Sequence, residues 1–131
     1  MSSIFTKIIR GEIPCYKIAE DLLFFAFLDI APMAKGHVLV VPKMEVDNAF
    51  DLPAEILEGW LTFAQPIAKA IEAAFPCNRC GISIIGIEVP HAHMHLVPID
   101  GADDLNFTRP KLKLSDEEML DAQQRIQQNL A

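Results

Sequence analysis

The chain has 131 residues, 51% of them hydrophobic and 22% charged. This is a folding composition, and the length fits a single domain, residues 1–131, that buries a core without disulfide or metal staples. Eleven Lys and Arg against eighteen Asp and Glu leave a formal charge of -7, which argues against a nucleic-acid coater or a binder of anionic membrane, because both need an excess of basic residues.

At the N-terminal end no apolar stretch follows a basic start, so no signal peptide is read and a cytoplasmic location is expected. Phe5 to Arg10 reads as a short helix or turn closed by Gly11 and Pro14. Cys15 to Glu20 and Leu22 to Asp29 read as two strands joined tightly at Glu20-Asp21. The second holds the longest apolar run, Leu22 to Leu28, which is far short of the roughly 20 residues that cross a bilayer. A strand with no polar alternation is expected to be buried on both faces. Ala31 to Gly36 is a loop, and His37 to Val41 is a β-branched strand ending at Pro42, with His37, Leu39 and Val41 on one face.

Pro53 to Phe75 is the main helix, because Ile56, Trp60, Phe63, Ile67 and Ile71 recur at three- and four-residue spacing. Asp51 is placed to cap it, and Pro66 is expected to kink it or to divide it into two shorter helices. Trp60 and Phe63 are candidates for the core or for a subunit interface. Cys77-Asn78-Arg79-Cys80 lacks both a second pair to complete a zinc site and a helix start to activate a thiol. It reads as incidental, and an odd, sparse cysteine set suits a reducing compartment. Gly81 to Ile87 and His91 to Ile99 read as strands joined by Gly86 to Pro90. After a polar segment containing Gly101 and Pro110, the capping box Ser115-Asp116-Glu117-Glu118 opens a last helix to about Gln128. Helix, three strands, helix, two strands, helix is the order of an antiparallel α+β domain.

Three of the four histidines fall within five residues, in Pro90-His91-Ala92-His93-Met94-His95-Leu96-Val97-Pro98. In a strand, alternate residues share a face at a spacing of about 6.7 Å. His91, His93 and His95 then line one side, and Ala92, Met94 and Leu96 enter the core on the other. A row spanning about 13 Å makes capture of one metal ion by all three imidazoles awkward, given metal–nitrogen bonds of about 2.0–2.1 Å. Covalent catalysis at phosphorus fits better, because a neutral imidazole is a competent nucleophile and its neighbours can orient it and contact phosphate oxygens.

HAHMHLVP resembles the alternating His-apolar-His-apolar-His pattern of the histidine-triad (HIT) family. So do Ile4-Phe5 with Ile8-Ile9-Arg10-Gly11-Glu12-Ile13-Pro14, Phe27-Leu28-Asp29-Ile30-Ala31-Pro32, and Gly36-His37-Val38-Leu39-Val40-Val41-Pro42-Lys43. The length is similar to that of the compact, Hint-like branch. The resemblance implies a HIT-like fold: a curved five-stranded antiparallel sheet with one long helix and short terminal helices. It implies a hydrolase acting on a purine nucleotide at its α-phosphorus, with no cofactor. His93 is then the nucleophile that forms a nucleotidyl-histidine intermediate, and His95 contacts the phosphate and could protonate the leaving group. His91 holds the array, and His37 supports His93. Asp29 contacts the ribose, and Ile30, Phe5, Ile13 and Phe27 line an apolar base pocket. A homodimer is implied as well.

Departures from the family pattern are informative. Gly86-Ile87-Glu88-Val89 has Ile87 where Gln is usual, and Ile85 stands where a polar contact is expected. Backbone N–H groups of residues 86–89, Glu88 and Val89 among them, are therefore expected to take over phosphate contacts. Ser3 and Thr6 stand where some relatives carry zinc cysteines, so no structural metal is expected. Arg109-Pro110-Lys111-Leu112-Lys113, the only basic run, reads as a solvated segment or as a contact to the leaving group or to a second subunit. Residues 101–131 match the family least well.

Overall fold

The computed structural model describes residues 2–130. In chain order it holds α1 (Ile4–Ile9), β1 (Lys17–Glu20), β2 (Phe24–Leu28), β3 (Val38–Pro42), α2 (Ala54–Ala74), β4 (Arg79–Ser83), β5 (Met94–Ile99) and α3 (Asp116–Gln128), with short 3-10 helices at Ala49–Asp51 and Ala102–Leu105. The strands form one antiparallel sheet in the order β1-β2-β3-β5-β4. The α+β architecture read from the sequence is the one observed.

Every residue of β2 and β3 is buried, as their uninterrupted apolar character requires. Phe24, Ala26, Leu28, Val38, Val40, Met94 and Leu96 face α2 and α3, where they meet Ile56, Trp60, Ile67, Ile71, Met119 and Ile126. Full burial of one such large side chain contributes about 1.5–3 kcal/mol, so this face carries most of the stability. On the other face the short α1 covers one part of the sheet, through Phe5 and Ile8 against Phe25, Phe27, Leu39 and Val41, and Phe107 covers His37 and His95. This thinner layer leaves room for clefts beside the histidines. Trp60 belongs to the core and donates its indole N–H to Val40 O at 3.0 Å. Phe63 is half-buried and stacks on Phe24, with ring centroids 5.4 Å apart.

Four expectations are corrected. α2 runs on through Pro66 as one helix and is not divided into two shorter ones; Pro66 and Thr62 are both exposed, so the Thr62 carbonyl that proline leaves without an amide partner faces solvent. Asp51 does not cap α2, because it ends its own 3-10 turn, capped by Asn48, and the chain enters α2 through Pro53. β4 stops at Ser83 rather than Ile87, and Gly86 takes a left-handed φ of 75°. β5 begins at Met94 rather than His91, because Ala92 N–H bonds Val46 O and His91 N–H bonds Val89 O in place of sheet partners. His91 and His93 therefore sit on the loop that leads into the strand.

The capping box of α3 is present: Ser115 Oγ accepts from Glu118 N–H and Glu118 Oε1 from Ser115 N–H, both at 3.1 Å. The cysteines are free, and burial pushes the Cys80 thiol up to about 12, so it is unreactive. No helix among the described residues is long and apolar enough to cross a membrane.

Candidate active site

The β2–β3 turn and the loop before β5 bring the histidines together. Gly36 has a φ of 99°, and a Cβ there would come within 2.5 Å of the Phe75 ring, so glycine alone allows this turn. The turn closes with His37 N–H on Ala34 O and Asp29 N–H on His37 O, which sets Asp29 beside His37 at the hairpin end. All four imidazoles are buried. Buried polar groups need partners, and here the partners decide which nitrogen carries each proton.

Met33 N–H donates to His37 Nδ1 at 2.9 Å. His37 is then protonated on Nε2, which lies 3.0 Å from His95 Nδ1. That nitrogen must accept, so His95 keeps its proton on Nε2. His93 Nδ1 lies 2.8 Å from the backbone carbonyl of His91, which can only accept. His93 is therefore protonated on Nδ1, and its Nε2 lone pair has no partner among the described residues. His91 donates from Nε2 to Pro42 O at 2.7 Å and accepts at Nδ1 from Ser3 Oγ at 2.7 Å.

Burial, reinforced by the neighbouring imidazole and by Lys111, pushes His37 down to about 3 and His95 to about 4. Burial also lowers His91 and raises Asp29. His37 and His95 are therefore neutral donors at neutral pH.

Two clefts of about 230 and 250 Å³ share Asp29, Glu88, His93 and His95. Phe5, Ile13, Phe27, Ile30 and Val89 line the first, which gathers every apolar residue expected around a base, together with Asp29, Glu88 and Val89. Ile30 is 77% exposed and forms its rim. Phe5 packs edge-on against His93, with ring centroids 5.0 Å apart. Asp29 Oδ1 accepts from Ala31 N–H at 2.8 Å, so one carboxylate oxygen shapes the turn while Oδ2 stands 3.6 Å from His37 Nε2. The second cleft is lined by Gly86, Ile87, Phe107, Thr108 and Lys111. Among the described residues no protein group takes up the backbone N–H of Ile87, Glu88 or Val89.

The triad is not a flat row. His93 and His95 face the clefts, while His91 lines neither and turns inward to Ser3 and Pro42. Ser3 and Thr6 form a hydrogen-bonded cluster with Glu45: Thr6 Oγ1 and Ser3 N–H donate to Glu45 Oε1 at 2.6 and 2.7 Å. Glu45 gave no signal in the sequence, because its contacts run to residues some forty positions away. Phe107 was equally silent, a lone aromatic in a polar segment. Asp29, His37 and His95 are the group among the described residues whose ligand atoms gather, all within 4.8 Å. The two histidine nitrogens are already engaged in hydrogen bonding with each other.

Residues 10–102 match the HIT domain. The chain belongs to the HIT family. It is 41% identical over 100 residues to an adenosine 5'-monophosphoramidase of Saccharomyces cerevisiae, over 72% of this chain and 61% of that protein, so it spans less than two thirds of that relative's length. It is 37% identical over 121 residues to an adenosine 5'-monophosphoramidase of Schizosaccharomyces pombe, over 91% of each chain. In fold it is similar to a HIT-like protein from Bartonella henselae involved in cell-cycle regulation, with a TM-score of 0.85, 30% identity and coverage of 98% and 97%.

Proposed function

We propose that this HIT protein is a nucleotide hydrolase that cleaves a purine nucleoside phosphoramidate or (di)nucleoside polyphosphate at its α-phosphorus. One observation carries the reading: an imidazole with a free Nε2 lone pair, His93, stands where an apolar cleft meets a polar one. The nucleoside lies in the apolar cleft, its base against Phe5, Ile13, Phe27 and Ile30 and its ribose hydroxyls on Asp29. The α-phosphate lies at the junction. His93 Nε2 forms a bond to phosphorus as the bond to the leaving group breaks, a phosphate departing as an anion and an amine departing with the proton carried on the phosphoramidate nitrogen. The second step adds water to phosphorus, breaks the N–P bond and returns the lone pair to Nε2. The backbone N–H groups of residues 87–89 and the His95 Nε2–H contact the phosphate oxygens, a preorganised arrangement worth more here than in water. The scheme uses no cofactor. The relatives named adenosine 5'-monophosphoramidase support adenosine phosphoramidates as substrates.

A second copy of the chain is the expected partner. β4 is the last strand of the sheet, and beside it a groove between α2 and β4 is lined by Leu61 and Ile82, which are 60% and 46% exposed. A nucleotide binder with little turnover is the second reading, favoured by Ile85 and Ile87 on the rim of the phosphate cleft. Incubation with adenosine 5'-phosphoramidate separates the two. The expected result is AMP release, reduced by about 10³-fold or more in His93→Ala, with a nucleotidyl adduct on His93 in samples denatured at alkaline pH, where the N–P bond survives. Binding without release above the variant would leave only the binder, and an adduct on His95 would overturn the assignment.

A further inference from the structure

The segment after the second 3-10 helix folds back over the histidines. Leu112 N–H donates to Pro32 O at 2.8 Å, and the Phe107 ring packs on His95 and His37 with centroids 4.6 and 6.3 Å apart. This strap carries Lys111 into the second cleft, where it is the only Lys or Arg lining either cleft. Lys111 Nζ donates to two backbone carbonyls, Phe107 O at 2.6 Å and Arg109 O at 3.3 Å. It makes no ion pair among the described residues, in a chain with eighteen Asp and Glu. Its neighbour Arg109 is instead tied to Asp103 and Asp104. The carbonyls fix the ammonium without neutralising it, which is how a cation is held ready for an anionic ligand.

We propose that Phe107, Thr108 and Lys111 form a leaving-group subsite in the same chain, selective for a leaving group that carries a second phosphate. This rests on the hydrolase reading above. An amine must leave with a proton, and neutral His95 is a reluctant donor. A phosphate can leave as an anion. The His93 Nε2 lone pair forms the N–P bond, and the bond between the α-phosphorus and the bridging oxygen breaks. Its electron pair stays on the departing phosphate, and the Lys111 ammonium pairs with that charge without giving up its proton. Water then releases AMP as before.

The test compares wild type, Lys111→Met and Lys111→Arg on ADP and on adenosine 5'-phosphoramidate, with His93→Ala as blank. For Lys111→Met, kcat/KM should fall roughly tenfold with ADP and less than about twofold with the phosphoramidate. Lys111→Arg should retain most of the ADP rate. An equal fall on both substrates would overturn the subsite, because Lys111 would then serve the α-phosphate or merely hold the strap; no fall on either would overturn it too. If wild type matches the blank on both substrates, the hydrolase reading fails by itself, and calorimetry still reads the subsite. Wild type should bind ADP more tightly than AMP, and Lys111→Met should bind them alike. Equal binding of ADP and AMP by wild type would end the proposal.

Discussion

A backbone carbonyl, that of His91, decides which nitrogen of His93 keeps its lone pair, so the fold at residue 91 sets the tautomer at residue 93 on which the proposed chemistry depends. The support continues outward, from His91 to Ser3 Oγ and from Ser3 and Thr6 to Glu45. The Thr6 hydroxyl and the Ser3 N–H hold the Glu45 carboxyl down at about 2. Ser3 also caps α1 by accepting from Thr6 N–H at 3.1 Å. Ser3→Ala therefore removes a cap and a buried hydrogen bond together, at an expected cost of about 1–2 kcal/mol in urea unfolding. If the cluster acts as a unit, Glu45→Gln should destabilise the Ser3→Ala background less than it destabilises wild type. Strict additivity in that double-mutant cycle would show that the two residues work independently. In activity assays Ser3→Ala should lower kcat as well as raise KM, because it loosens His93 through His91 and also loosens the α1 end that carries Phe5 into the apolar cleft.

At the scale of elements, the two sheet edges differ. α3 covers β1, and the Gln123 and Gln127 side chains donate to Lys17 O at 2.8 and 3.0 Å, which blocks further pairing there. On its outer side β4 has only its Cys80 N–H taken up among the described residues, by the Glu72 carboxylate at 2.9 Å, and Ile82 beyond it is exposed beside the α2 groove, so the proposed pairing between two copies is placed at β4. Ile82→Glu puts a charge on that edge and should convert a dimer to a monomer in sedimentation equilibrium. A wild type that already sediments as a monomer would remove the dimer proposal. The same elements show what a sequence makes legible. α2, α3 and the strands announce themselves because local periodicity and capping specify them. The alternation of Ala92, Met94 and Leu96 into the core was equally plain, since all three are buried. The start of β5 was not, because the amides that would have extended it are captured by Val46 and Val89 carbonyls, contacts that no local pattern encodes. Lys111 was legible as part of a basic run, but its return over His95 depends on Leu112 reaching Pro32, eighty residues back.

Across the whole molecule, net charge and site charge separate: a chain of charge -7 sets the Lys111 ammonium, without an ion pair among the described residues, in a cleft beside the neutral imidazole of His95. Keeping the imidazoles neutral ties stability to pH. Unfolded histidines titrate near 6.5, while burial holds His37 at about 3 and His95 at about 4. As pH falls below 6.5 the unfolded chain takes up protons that the folded chain refuses, so stability drops. The loss continues until the folded values are reached. Each imidazole contributes at most about 1.4 kcal/mol per pH unit over that window. His91, also lowered, acts in the same direction. Glu20, held at about 2 by Lys17 and Lys43, and Glu45 add their losses only below their unfolded value of 4.5. Asp29, raised by burial, has the opposite sign: its contribution is present at low pH and is lost as pH rises. Between pH 6.5 and 5 the histidines therefore outweigh the opposing Asp29, and the urea midpoint should fall across that interval before Glu20 and Glu45 add their losses. His37→Asn, compared with its own value at pH 7, should show a shallower fall, because one of the refused protons is gone. A wild-type midpoint that stayed level from pH 6.5 to 5 would mean that the imidazoles titrate alike in the folded and unfolded chains, and the tautomer chain running from Met33 to His95 would then be the wrong description of the site.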